Sequence, residues 1–282
     1  LSGSWLGDSL LELETLRVNL VETAILSLTL LVYLAGITAS IAGTARRSNA
    51  IHRTATALVG LGWLLHLAAL VRRGFVTGNL PLSNSAEFLL VLAWVVVALY
   101  LAVWFRWRVH AAGLVLPPLG AAMTAAAIGL IPGAGQPISQ GAQGWFVIHT
   151  TASTMGLAAL GVAFAMSLIY LTQDRALKSK RSLRILERLP SLHTCDRIGF
   201  QAVLVGFPLL TVGIVTGIIW NLIERDQVPT SSAKVIFPLV AWVLFAILLF
   251  ARKVWGYRGR RSAYLTIAGF ALGLLTILGI AR

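Results

Sequence analysis

Charge is scarce in this chain. Only 12% of its 282 residues are Asp, Glu, Lys or Arg, about half the ~25% of a soluble domain. Hydrophobic residues make up 57%, and the mean hydropathy is +0.83. A globule with so little polar surface does not stay in water, so the composition implies an integral membrane protein. Period-two alternation is lacking as well, and long apolar runs recur, which points to helices rather than strands. Cysteine is nearly absent. The one thiol, Cys195, excludes an intrachain disulfide and any Cys-based metal or thiol-redox motif. No Walker loop, GxGxxG, HExxH, CxxC or GxSxG occurs, which removes the chemistries those motifs carry. Acid is also rare, 10 Asp and Glu against 23 Lys and Arg, for a net charge of +13. In a polytopic protein that excess sets topology and meets lipid headgroups, so it implies a bilayer partner and no nucleic acid.

Eight apolar runs are each long enough to cross a hydrocarbon core of ~30 Å. They lie near 19–42, 54–71, 86–105, 111–130, 145–172, 199–222, 233–251 and 262–280. The expected fold is an all-α polytopic bundle, a single integral membrane domain over 1–282 with its transmembrane core at 19–280. Pro117, Pro118 and Gly120 interrupt the fourth run, which is expected to be kinked or re-entrant. The loops after runs one, three, five and seven hold most of the basic residues, among them Arg46, Arg47, Arg53, Arg106, Arg108 and the series from Arg175 to Arg197. The positive-inside rule places these in the cytoplasm and both termini outside. The basic 173–198 loop is either a topology anchor with an interfacial helix or a docking site for a soluble partner. Its His193 and Cys195 lack the further soft ligands a metal site needs. Gly213–Gly217 and Gly269–Gly273 are small-xxx-small pairs that let helices approach. The chain starts at Leu1, so an initiator or short leader is expected to be missing. Leu1–Arg17 carries Asp8, Glu12 and Glu14 without a basic stretch, unlike a signal peptide.

Ionisable residues in hydrocarbon are functional candidates, because each costs a few kcal/mol to place there. Glu22 stands at the outer edge of the first run and is expected to snorkel. His66 lies in the outer half of the second, Glu87 opens the third, and His149 opens the fifth in Trp145-Phe146-Val147-Ile148-His149. The topology gathers His66, Glu87 and His149 toward one face. Two neutral imidazoles among Trp and Leu suit bis-axial ligation of haem iron. Arg72 and Arg73, close beyond His66, suit anionic propionates. The plain alternatives are a hydrogen-bonded packing role for His66, interfacial anchoring for Trp145–His149, and a first-turn helix charge for Glu87 behind a Ser83 or Asn84 cap.

Several stretches together resemble the cytochrome c assembly family of membrane proteins, the CcsA/ResC and CcmC group with its relative HemX. Ile198-Gly199-Phe200 and Phe207-Pro208-Leu209-Leu210-Thr211-Val212-Gly213 through Gly217 and Trp220 resemble the family's "IGFPxLTxGIxxGxxW" helix. Pro81-Leu82-Ser83-Asn84 with Glu87 resembles "PLSNxxE", and Ile148-His149 resembles the family's "IH". Trp242 through Arg252, then Gly256 through Tyr264, resembles the close of the fold. The likeness runs over roughly 52–275. It implies haem handled at the outer face of a bacterial cytoplasmic membrane, with transfer toward apocytochrome c and His149 as an axial ligand.

The departures lie in the family's "WGxxWxWDPKE" loop, where only Trp220 remains tryptophan, and in histidines expected near Phe250 and within 275–282 that are absent. Together with Ala233-Lys234-Val235 they make the chain most similar to the HemX-like branch, associated with control of haem synthesis through glutamyl-tRNA reductase. The expectations are then haem b as cofactor and His149 and His66 as iron ligands. Trp145, Trp220 and Trp63 would form the walls beside Glu87, and Arg72, Arg73 and Arg225 would meet the propionates. No covalent catalysis is expected from this chain alone. A haem lyase or synthetase system would need a partner membrane protein with a soluble outer domain. The alternatives are a HemX-like regulator and a structural subunit whose haem function is lost.

Overall fold

A computed structural model describes residues 3–82, 84–130, 140–178, 190–225 and 233–280; the side chains of 3–19, 140–141, 225, 233–234 and 278–280 are outside that description. Among the described residues the chain forms eight α-helices and one 3-10 turn: α1 Gly3–Arg46, α2 Asn49–Thr77, α3 Ser85–Trp107, the turn His110–Leu114, α4 Leu116–Gly129, α5 Gln140–Lys178, α6 Leu192–Arg225, α7 Ala233–Val254 and α8 Arg260–Ile280. Among the described residues seven segments, one of them the turn joined to α4, are long and apolar enough to cross a membrane. α8 occupies the eighth expected run. The protein is therefore an all-helical, multi-pass membrane protein.

The helix ends follow from local chemistry. Ser48 precedes α2, and its hydroxyl accepts from the Ile51 amide at 3.3 Å. Asn84 opens α3, its Oδ1 accepting from the Glu87 amide at 2.9 Å, the side-chain cap that satisfies one orphan donor; Ser83 lies outside the described residues. Arg108 closes α3 in the left-handed region at φ 55°, with its amide donating to Trp104 O at 2.9 Å. Several helices outrun their apolar cores, α1 by reaching back to Gly3 and α5 by starting at Gln140. Hydropathy marks only the part that must sit in lipid, whereas backbone bonding continues through the interface.

The fourth run differs from expectation. It is not a helix bent at its prolines but a 3-10 turn followed by a helix that starts there, with proline in the first turn of α4. Proline is tolerated in that position because a first-turn amide has no intrahelical partner. The 173–198 segment also changes. α5 runs on to Lys178 and α6 begins at Leu192, so Asp174, Arg175, Cys195 and Asp196 are helical. The interfacial helix expected between them, with Lys180, Arg181, Arg184 and Arg188, lies outside the described residues.

Hydrophobic burial does little to bring helices together in lipid, so close packing must. α5 and α6 make the largest interface. They run antiparallel: a Cβ on Gly199 would meet Met166, on Gly206 Leu160, on Gly213 Ser153 and on Gly217 His149. Gly156 on α5 answers with 2.9 Å to the Leu210 amide nitrogen. α1 and α2 pair in the same sense, Gly36 against Val59 and Gly62 against Tyr33, and α7 pairs with α8 through Phe245 on Gly269. α3 is the central element. Leu92, Ala93, Val96 and Val97 are fully buried, and it packs on α2, α4 and α5. At the basic end Arg252 forms a two-pronged pair with Asp196 at 2.8 and 2.7 Å, and Asp174 holds Arg260 and Lys178.

Candidate functional site

His149 sits on α5 against the glycine face of α6. Its Nδ1 lies 2.7 Å from the Gly213 carbonyl oxygen. A carbonyl only accepts, so the neutral ring carries its proton on Nδ1 and presents the Nε2 lone pair. That orientation, one nitrogen pinned and the other bare, is how proteins prepare a histidine for a metal. Nε2 makes no hydrogen bond among the described residues.

The ring lies nearly parallel to Trp220, 17° apart with centroids at 6.1 Å. Phe146, three residues before it, packs on the same indole at 5.1 Å, and Trp145, one turn earlier on α5, is 37% exposed. Trp220 Nε1 is buried with no partner among the described residues. The arrangement is an apolar, aromatic cluster around one Lewis base. Thr216, on α6 between Gly213 and Gly217, donates to Val212 O at 2.7 Å.

A second group lies on α1–α3. His66 is 0% exposed. Its Nδ1 shares a 3.3 Å hydrogen bond with the Tyr33 hydroxyl, and its Nε2 is sealed without a partner. Trp63 stacks on Trp94 at 5.0 Å and donates from Nε1 to Trp94 O at 3.2 Å. Arg73 donates from Nε to Glu87 Oε1 at 2.7 Å and from Nη1 to both Glu22 oxygens at 2.8 and 3.0 Å. All three are nearly inaccessible, at 5%, 1% and 3%.

The structure thus divides the residues expected at one site. His149 and Trp220 meet on α5–α6, with Trp145 one turn before His149 on the same helix. His66, Trp63, Glu87, Arg72 and Arg73 belong to α2 and α3, and α2 makes at most marginal contact with α5 and α6. Three expectations are corrected. Glu22 does not snorkel, because Arg73 holds it inside. Arg73 is not free for a propionate, because two carboxylates occupy its Nε and Nη1. Glu87 is one of those two carboxylates, bound to Arg73 Nε, rather than a residue beside the His149 rings. Arg72 is half-buried on α2; the Arg225 side chain lies outside the described residues.

Phe146 and the Gly213 carbonyl were missed at the sequence level. Gly213–Gly217 was legible as a packing pair, but the histidine that fills it was not, since nothing local pairs residues 149 and 213.

The sequence profile described as "Cytochrome C assembly protein" matches residues 82–281. The cytochrome c biogenesis protein CcsA of Microcystis aeruginosa is 27% identical over 79% of this chain and 82% of its own length. The CcsA of Mesostigma viride is 25% identical over 96% and 95%. Protein HemX of Brevibacillus brevis is 24% identical over 90% and 94%. Among solved structures, the cytochrome c haem lyase CcmF superposes with a TM-score of 0.67 at 18% identity, covering 94% of this chain. The chain spans 47% of that structure.

Proposed function

The chain belongs to the cytochrome c assembly protein family, and on that premise we propose that it binds or conveys haem, in the b form, at the His149 end of the α5–α6 pair during cytochrome c maturation. The observation that carries this reading is the 2.7 Å bond from His149 Nδ1 to Gly213 O, which leaves Nε2 as the atom that would hold the iron. The residues present suit the group. Trp220, Phe146 and Trp145 supply flat apolar surface, and Gly217 leaves room for the ring itself. Bound there, haem supplies the iron that Nε2 coordinates. The protein's own part is to hold the imidazole tautomer, exclude water from it and present the macrocycle edge to a partner. Arg225, which closes α6, remains the proposed propionate contact, and Arg72 on α2 stands apart from this helix pair.

His66 was expected opposite His149. Its Nε2 is sealed in the protein, so no macrocycle reaches it unless that packing opens. A second ligand to the iron would then come from a partner, a membrane protein with a soluble outer domain or apocytochrome c itself. No covalent step is assigned to this chain. The membrane is proposed to be the bacterial cytoplasmic one.

The test is the visible spectrum of the detergent-purified protein with added haem. A five-coordinate, high-spin histidine-ligated spectrum that is lost in His149→Ala supports the reading. A wild-type protein that stays colourless overturns it.

A second reading, a membrane regulator acting on glutamyl-tRNA reductase, is favoured by the likeness to HemX over 94% of that protein's length. Deletion of the gene separates the two. Loss of c-type cytochromes supports the first, and a changed level of the reductase with cytochromes intact supports the second.

A further inference from the structure

The carbonyl that holds His149 serves more than one donor. Gly213 O lies 2.7 Å from His149 Nδ1 and also accepts from Thr216 Oγ1 at 3.2 Å. Inside α6 it is the ladder acceptor of the Gly217 amide as well, four residues on. A carbonyl oxygen has two lone pairs, so three donors share them. Thr216 is 6% exposed. Its hydroxyl has a single hydrogen, divided between Val212 O at 2.7 Å and Gly213 O at 3.2 Å.

A threonine inside a helix commonly bonds back to the preceding turn. Thr150 on α5 makes the same two contacts, 2.8 Å to Phe146 O and 3.3 Å to Val147 O. Neither of those oxygens receives a side chain from another helix among the described residues. At Gly213 the back-bond falls instead on the oxygen that orients the candidate iron ligand. Its effect has a definite sign. Each donor draws electron density from the shared oxygen and lowers its attraction for the other donors. The Thr216 hydroxyl therefore weakens the bond from His149 Nδ1–H. The strength of that bond governs how much electron density the ring offers at Nε2, because the hydrogen-bond partner of a ligating histidine tunes the metal it holds.

We propose that Thr216 is a positioning residue of the His149 site: by sharing the Gly213 carbonyl it holds the Nδ1–H bond at intermediate strength and limits electron donation from Nε2 to a bound iron. Thr216 acts only through Gly213 and His149. The part that concerns the hydrogen bond needs no ligand, and the part that concerns the iron rests on the haem reading above.

The full chain, carrying isotopically labelled histidine, is placed in detergent and its imidazole nitrogens are read by NMR. It has five histidines, and His149→Gln identifies the His149 Nδ1 signal by its loss. Thr216→Val removes the hydroxyl at nearly the same volume, Thr216→Ala removes it with a smaller side chain, and Thr216→Ser keeps it. Two different removals ensure that a packing defect in one does not decide the result. The expected outcome is a downfield shift of Nδ1 in the Val and Ala variants, the mark of a stronger bond, and the wild-type position in the Ser variant. No shift in either removal, or an upfield one, overturns the proposal. With haem added and reduced, Thr216→Val is expected to show the iron–histidine stretching band at higher frequency and a lower reduction potential, both restored in Thr216→Ser. A purely structural threonine would move neither. A downfield Nδ1 with an unmoved band overturns the link to the iron. A wild-type protein that takes up no haem overturns the haem reading, and the Nδ1 shift then decides for or against Thr216 by itself.

Discussion

The ring of His149 occupies the space a side chain on Gly217 would need: a Cβ there stands 2.6 Å from both Cε1 and Nδ1 of the imidazole. The glycine is therefore part of how the histidine is held. Gly217→Ala is expected to push the ring off the Gly213 carbonyl and to lower haem affinity about 10–100-fold, as loss of an orienting partner does. The cost in stability is about 1–3 kcal/mol from overpacking. A haem titration and a melting curve on the same preparation separate these effects. Unchanged affinity would show that the ring position does not matter.

The Arg73–Glu22–Glu87 cluster predicts an asymmetry. Arg73→Leu leaves two carboxylates buried without their cation and is expected to destabilise the protein by about 3–5 kcal/mol. Glu22→Gln keeps an acceptor and lowers the local negative charge, so its effect is expected to be much smaller. Arg73→Lys loses the fork that reaches both partners and falls between them. Melting temperatures of the three variants in one detergent give the order directly.

A double-mutant cycle addresses Arg252 and Asp196, whose side chains are 10% and 19% exposed. Arg252 also covers the Phe200 ring at 3.9 Å. Arg252→Gln and Asp196→Asn are expected to be non-additive by about 0.5–3 kcal/mol. Strict additivity would mean that the pair contributes nothing as a pair.

Thr211→Val tests the α6–α7 contact. Trp242 Nε1 donates to Thr211 Oγ1 at 2.9 Å, and its ring stacks on Phe207 at 5.5 Å. Removing the acceptor at nearly constant volume is expected to cost about 0.5–1.5 kcal/mol, the net worth of a hydrogen bond at a half-buried position. A quenching or wavelength shift of the Trp242 emission, read against Trp242→Phe, reports whether the indole has moved.

The helices were legible because a backbone in lipid must satisfy itself, so each crossing writes a long apolar run into the sequence. The Asn84 cap was legible for a similar reason, since the chemistry that starts a helix is local. The site was only half legible. Counting residues from the basic loops gives the depth of His66 and His149 along the membrane normal. It says nothing of which helices are neighbours in the membrane plane, and the structure places the two rings in different helix pairs. Arg73 next to Arg72 looked like one of two equivalent cations. Only the fold shows that α1 and α3 bring Glu22 and Glu87 to one of them.

The length of α6 bears on how the His149 ring meets its surroundings. Its 34 residues extend about 51 Å, well beyond a hydrocarbon core of about 30 Å. The contacts of His149 with Gly213, Gly217 and Trp220 join this rod to its antiparallel partner α5. A change in bilayer thickness acts on the rod along its whole length, whereas the spacing of the imidazole from these three residues is a matter of side-by-side fit between two helices, so mutations at the glycines bear on it more directly than lipid does.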